Sequence, residues 1–289
     1  MGELLVIGAL AWDRPIRLSG PLAPGARLVG RTLEGRLAGR LGGGGANAAT
    51  ALAKAGRRVA LASMIGQDAA ADAALEDAQA AGIDVALVGR RDGDSKTTLI
   101  LIDPAGERVV MGLDWEPKAL PDLAPPSSAP GLRPAGLFIR SAYPGAEAWA
   151  QACGGPVILH WPSPTYRGRA DVVVASADDL EPAIAADPLG AARAALGAPL
   201  AWVVVTHGAR GATAFGADSR IDAPAPLAAV VDATGAGDIF AAGLLDALSA
   251  GAPMARALPH ACAWGAAAVG LDSSAPLEAA AGTFRAFAL

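Results

Sequence analysis

Val231-Asp232-Ala233-Thr234-Gly235-Ala236-Gly237-Asp238-Ile239-Phe240 joins an apolar, proline-spaced segment, Ile221 to Val231, to an alanine- and leucine-rich segment, Ile239 to Ala250, that reads as a helix. Gly235-Ala236-Gly237 therefore falls at a helix N-terminus. There the backbone N–H groups of residues 235 to 238 lack intrahelical partners, the macrodipole favours negative charge, and two glycines let a ligand approach the backbone closely. Phosphate is the natural guest, and Asp238 in the same first turn is placed to take a proton from an attacking hydroxyl. Asp at a helix start is equally an ordinary N-cap, so the stretch alone leaves two readings open.

Outward from this turn the pattern is alternating. Leu4 to Leu10 is a short apolar run of the kind buried on both faces of a parallel sheet, and Arg58 to Met64 is a second. Gly66-Gln67-Asp68 leads from that run into a helix over Ala69 to Ala81. Leu137-Phe138-Ile139, Val157-Ile158-Leu159, Val172-Val173-Val174 and Trp202-Val203-Val204-Val205 are β-rich runs separated by alanine-rich helical stretches. Such alternation predicts a doubly wound, mostly parallel α/β sheet flanked by helices. Pro121 to Pro134 reads as a surface loop, and Pro259 to Leu271 as a helix packed beside the one that begins at Asp238.

Two stretches break the rhythm. Residues 16 to 40 scatter Ile16, Leu18, Leu22, Leu28, Val29 and Leu33 among Gly, Pro and Arg, which fits short strands. Thr97 to Ile102, the turn Asp103-Pro104-Ala105-Gly106 and Glu107 to Met111 read as a hairpin. Together they predict a small β lid inserted in two pieces, 13–40 and 91–114, into a main domain of 1–12, 41–90 and 115–289.

Leu41-Gly42-Gly43-Gly44-Gly45-Ala46-Asn47 opens a helix running to about Lys54, with Asn47 offering both a donor and an acceptor in its first turn. It is neither a Walker A loop nor a Gly-x-Gly-x-x-Gly dinucleotide fingerprint, and Gly8 to Asp13 supplies no such fingerprint after the first strand, which argues against a nicotinamide enzyme. A flexible hinge is the plainer reading of these glycines. Asp13, just after the first strand, is either a ligand for polar substrate groups or a solvated turn residue. His207 sits in the turn His207-Gly208-Ala209-Arg210-Gly211, where a packing or hydrogen-bonding role is the commoner one.

The 289 residues carry a formal charge of −5 and 53% hydrophobic residues. No basic face invites nucleic acid or an anionic membrane, so the expected ligand is small. Cys153 and Cys262, the two cysteines, have no metal spacing and read as buried thiols of a reducing compartment. Glu3 precedes the first apolar run with no basic segment, and no apolar run reaches membrane-spanning length, so a soluble, cytoplasmic protein is expected.

Taken together these residues resemble the ribokinase-like (PfkB) carbohydrate kinase family. Asp232 to Asp238 looks like its Asp-Thr-x-Gly-Ala-Gly-Asp signature, and Gly42 to Asn47 like its Gly-Gly-x-Gly-x-Asn signature. Gly66-Gln67-Asp68 and Thr206 to Gly211 match recurring stretches in the same order. The resemblance implies transfer of the ATP γ-phosphate to a substrate hydroxyl, with Asp238 as base and the amides of Gly235, Ala236 and Gly237 as anion hole. It places Asp13, Gly43 and Asn47 at the sugar, Thr206, Gly208 and Gly211 at the nucleotide, and His260 on the helix beside adenine. Asp232 matches a residue that helps hold a monovalent cation, K⁺ in some members, and Asp179 matches the acid that acts on Mg²⁺ through water.

This chain departs from the pattern in places. The family's Asn-x-x-Glu appears as Ser176-Ala177-Asp178-Asp179, and its Asp-x-Asn-x-Arg as His160-Trp161-Pro162-Ser163-Pro164. Gly44 stands where ribokinase carries lysine, and Ser141-Ala142-Tyr143 lacks the acid that contacts ribose. A sugar or nucleoside is expected as substrate, with a degenerate, non-catalytic sensor as the alternative. Arg140 suits either an anionic substrate or a structural salt bridge. An exposed lid surface makes a homodimer through the lid an expectation.

Overall fold

The computed structural model describes residues 2–32, 38–95, 97–105, 108–113, 122–163, 165–197, 200–272, 274–280 and 282–287. Leu33, Gly106 and Glu107 of the expected lid, Pro121 of the expected loop, and Pro164 lie outside the described residues.

In chain order the first half holds β1 (Leu4–Ile7), β2 (Ala11–Leu18), β3 (Gly30–Thr32), β4 (Arg40–Gly42), α1 (Gly44–Lys54), β5 (Val59–Ile65), α2 (Ala69–Ala80), β6 (Ile83–Asp84), β7 (Val88–Arg90), β8 (Thr97–Ile102) and β9 (Arg108–Leu113). The second half holds β10 (Gly136–Ile139), α3 (Ala146–Ala152), β11 (Val157–His160), β12 (Val172–Ser176), α4 (Pro182–Ala186), α5 (Pro188–Leu196), β13 (Trp202–Thr206), β14 (Ala212–Phe215), β15 (Arg220–Ala223), α6 (Ala236–Ser249) and α7 (Met254–Val269).

The larger sheet runs β15-β14-β13-β12-β11-β10-β1-β5-β6, with β7 also on β5. It is parallel except for β14 and β15, which close one edge as antiparallel strands. β1 lies near the middle, flanked in parallel by β10 and β5. The chain is a mixed α/β protein with a mostly parallel sheet covered by helices on both faces. The two-residue period of a strand assigns the core to two sides. Leu4, Val6, Leu61, Phe138, Ile158 and Val204 point to one cluster with α1, α2, α6 and α7. Leu5, Ile7, Leu137, Ile139, Leu159 and Val205 point to the other with α3 and α5. Both faces need covering, which is why these strands read as unbroken apolar runs.

A second, small sheet has the order β3-β2-β8-β9, with β4 also on β2. β2 and β8 pair in parallel and the other neighbours are antiparallel. Asp13 is not in a turn after β1. It stands inside β2, opposite Arg40 of β4, and is buried. The short strands β6, β7 and β14 were not anticipated, because two to four residues carry too little period to read. Asp68 of Gly66-Gln67-Asp68 is the N-cap of α2, accepting from Ala71 N at 2.7 Å, and it also binds Ser95 N and Oγ at 2.8 and 2.7 Å. It thereby fixes the chain just before β8. Among the described residues no helix is long and apolar enough to cross a membrane.

Candidate active site

α6 begins at Ala236 behind Gly235, whose φ of 77° is left-handed. Glycine is required there twice over, since a Cβ would also lie 2.7 Å from Asn47 Nδ2 and 2.9 Å from Ser274 O. The first helical bond with good geometry is Ile239 N to Gly235 O at 3.0 Å, and Ala236 N has only a 3.4 Å contact with Ala233 O. The amides of 235 to 238 thus stand ahead of the helical ladder, with the dipole behind them.

Asp238 lies in that first turn and is buried. Asn47 Nδ2 donates to its Oδ2 at 3.0 Å, and Arg140 Nε to its Oδ1 at 2.5 Å. Asn47 comes from α1, whose start is set by Gly43 at φ 90°, and Arg140 from the residue after β10. Gly44 makes room for the pair: a Cβ there would lie 2.9 Å from Arg140 Nε and 3.0 Å from Asp238 Oδ1. Lysine in this position would fill the space that the guanidinium occupies. Asp13 joins the same neighbourhood through Ser274, whose Oγ donates to Oδ2 at 3.3 Å. His160, at the end of β11, is close enough to feel both charges. Burial first, then Arg140, push its imidazole down to about 4 against the opposing pull of Asp238.

Unpaired buried polar atoms mark what the site lacks. Asn47 Oδ1, Thr234 Oγ1 and Arg40 Nε are buried with no hydrogen-bond partner among the described residues. Such atoms are costly unless a ligand completes them.

Beside the turn lies a cavity of about 500 Å³ lined by Thr206, Gly208, Gly211, Ala236 and Gly237, with Ser176 and Asp178 at one wall. Leu227 and Val230, from the exposed segment after β15, face Gly265, Ala266 and Val269 of α7 across it. Small residues on α7 leave a slot for a flat group. Thr206 Oγ1 is itself tied to Ala175 O at 3.3 Å, and His207 bonds Thr213 through Nε2 at 3.2 Å, a structural contact.

Two expected residues fall elsewhere. His260 is not on the lining face of α7. Its Nε2 bonds Asp246 Oδ2 at 3.0 Å, and its ring packs on Trp264 and Phe287. Asp246 is fully buried and also bonded to Arg57 Nε at 2.5 Å and Phe287 N at 2.6 Å, so His260 completes a buried ionic network. At the other wall it is Asp178, one residue before Asp179, that lines the cavity. A hard carboxylate there suits Mg²⁺ through water, and among the described residues no group of three or more His, Cys, Asp or Glu could hold a metal by itself.

Asp232 lies just upstream of the turn, accepting Thr234 N at 2.8 Å. Arg40 Nη2 donates to its Oδ2 at 3.0 Å, and Arg108 Nη1 stands 3.6 Å from Oδ1. Burial tends to raise this carboxyl, but the hydrogen bond from Thr234 N and the Arg40 guanidinium outweigh it and hold it below the usual range. Arg40, Arg108 and Ser274 had no signal in the sequence: each contacts its partner across more than a hundred residues.

The profile of the pfkB family carbohydrate kinases matches residues 21–122 and 163–279, more than half of the chain. The chain belongs to that family. Its fold is that of ribokinase structures: the enzyme from Thermotoga maritima is 21% identical over 98% of each chain, with a TM-score of 0.77. The ribokinase of Arabidopsis thaliana, solved with ribose and ATP, is 20% identical over 96% of each chain, with a TM-score of 0.75. A nucleoside kinase of Burkholderia thailandensis, solved with inosine, is 22% identical over 95% of this chain and 93% of its own, with a TM-score of 0.71. No curated protein sequence matches the chain significantly.

Proposed function

We propose that the chain is an ATP-dependent kinase that moves the γ-phosphate of ATP to a hydroxyl of a sugar or sugar-like acceptor. The observation that carries this reading is the position of Asp238. It is buried, held by Asn47 and Arg140, and set in the first turn of the helix whose first residues, Ala236 and Gly237, line the cavity. The neighbour bound to ribose and ATP supports it.

The acceptor hydroxyl lies against Asp238, which takes its proton as the oxygen attacks the γ-phosphorus and ADP leaves. The amides of Gly235, Ala236 and Gly237 donate to the charge that develops on the transferred group. Losing one donor of this kind typically costs about 10²–10³ in kcat. Asn47 Oδ1, without a partner, accepts from a second acceptor hydroxyl, and Asp13 and the Gly43 turn border the same space. The nucleotide runs along Thr206, Gly208 and Gly211, with its base between Val230 and Gly265. Ser176 and Asp178, at one wall of the cavity, are the residues that would hold the water shell of a Mg²⁺ ion bound with the nucleotide, which would neutralise charge on the phosphate oxygens.

Turnover in the cytoplasm belongs to the same reading, as does pairing of two copies through the small sheet. Val109, Val110 and Met111 of the edge strand β9 are exposed for that pairing. Light scattering at working concentration tests it, and a monomer refutes it.

The test of the kinase reading is ADP formation over a panel of pentoses, hexoses, keto-deoxy sugar acids and nucleosides. At least one acceptor should turn over. A nucleoside as the preferred acceptor would select the second reading within the family. ATP binding with no ADP from any acceptor would instead favour a non-catalytic sensor, which the Ser176 to Asp179 departure makes a specific alternative.

A further inference from the structure

Asp232 has a side chain only 3% exposed, yet both positive groups facing it come from the small sheet: Arg40 begins β4 and Arg108 begins β9. Arg108 also lines the cavity beside Gly237. Arg40 is fixed a second time, Nη1 donating to Asp272 O at 2.6 Å, and Arg17 of β2 bonds the Asp272 carboxylate at 2.7 and 2.8 Å. The strands of the small sheet therefore grip the segment after α7 and the carboxylate behind the phosphate turn together.

A monovalent cation at Asp232 would need that carboxylate as a ligand. Oδ2 already accepts from Arg40 and Oδ1 from Thr234 N, and any ion brought between them would face two guanidinium groups at close range. The residues present do not fit the cation that the family resemblance implies for this position. The positive charge is already there, covalently attached to the small sheet.

We infer that Arg40 and Arg108 replace the monovalent cation: they supply the fixed positive charge behind the amides of 235 to 237, so nucleotide binding and phosphoryl transfer do not depend on K⁺. The inference rests on the kinase reading. It also ties that charge to the position of the small sheet, because moving the sheet moves the guanidiniums.

The test measures AMP-PNP affinity by calorimetry, with Mg²⁺, in potassium chloride and in tetramethylammonium chloride at equal ionic strength. ADP formation with any acceptor that turns over is measured in the same two salts. For the unaltered protein both should agree within about twofold between the salts. Arg40→Gln should bind AMP-PNP several-fold more weakly in tetramethylammonium and recover in potassium, because Asp232 is then left for an ion to occupy. Arg108→Gln, altering a more exposed side chain, should show the same recovery and serves if Arg40→Gln does not fold. A gain of tenfold or more from potassium in the unaltered protein would overturn the inference, as would foldable variants that bind as tightly as the parent in both salts. Failure to bind AMP-PNP in either salt would instead sink the kinase reading on which the inference stands.

Discussion

Arg140 donates Nε–H to Oδ1 of Asp238 at 2.5 Å, so the carboxylate proposed as the base is held from one side by a guanidinium and from the other by Asn47 Nδ2. The side chain of Arg140 is 33% exposed, so it has one flank on the base and one toward open space. Arg140→Gln is expected to lower kcat by about 10- to 100-fold, the size of a lost charge-assisted hydrogen bond. If the guanidinium also contacts an anionic acceptor, KM for acidic sugars should rise more than KM for neutral ones. Steady-state kinetics on both acceptor types separate the effects, and an unchanged kcat would show that the pair is not needed to orient the base.

Gly44→Ala isolates the same pair without removing any charge. The new methyl would meet Arg140 Nε and Cγ at 2.9 Å and Asp238 Oδ1 at 3.0 Å, while alanine suits the first turn of α1. The flexible Arg140 must give way. The melting temperature should stay within a few degrees of the parent, since one half-buried arginine side chain moves, while kcat falls about tenfold or more. A variant with parental kcat would mean the guanidinium can shift at no cost to the base.

His260 and Asp246 should report on stability alone. Asp246 is fully buried against Arg57, so Asp246→Ala breaks a buried ion pair at a cost of about 3–5 kcal/mol. His260→Ala removes one hydrogen bond and two ring contacts, a smaller loss of about 1–2 kcal/mol. Denaturant melts give both values. KM for ATP in His260→Ala should match the parent; a large rise would restore this residue to the nucleotide site.

His160 supplies a pH signature. Its folded-state value is depressed to about 4, against about 6.5 for a free imidazole. Between those values the unfolded chain binds the extra proton, so this group's contribution is complete above about pH 6.5 and is lost as the pH falls toward 4, by at most about 1.4 kcal/mol per unit. His160→Gln should flatten the slope of unfolding free energy over that window. Parallel slopes in the two proteins would show that the ring titrates normally.

The α/β class was legible because β1, β5, β10, β11, β12 and β13 are buried on both sides and so carry continuous apolar runs. The helix start at Gly235 was legible because its glycines and Asp238 are local chemistry. What escaped was non-local. Asp13 stayed open between a substrate ligand and a solvated turn residue because nothing local shows that it is buried within β2, opposite Arg40 of β4. For Asp232 the family resemblance implies a cation ligand; its counter-charges, Arg40 and Arg108, left no trace in the sequence because they arrive from the small sheet 192 and about 120 residues away. His260 was one face of α7 off: the period of a helix says which residues share a face, and here the cavity takes the face of Cys262, Gly265 and Val269 while the Asp246 network takes the other.

Asp238 is proposed to remove the acceptor proton beside the amides of 235 to 237. The most direct measurement is single-turnover transfer of the γ-phosphate to the best acceptor of the panel by Asp238→Asn, with AMP-PNP affinity measured on the same preparation. Asparagine keeps the size and one hydrogen-bond acceptor while removing the base. A transfer rate reduced by about 10²–10⁴ with nucleotide affinity within about threefold of the parent is the predicted result; a transfer rate close to the parent's would contradict the assignment.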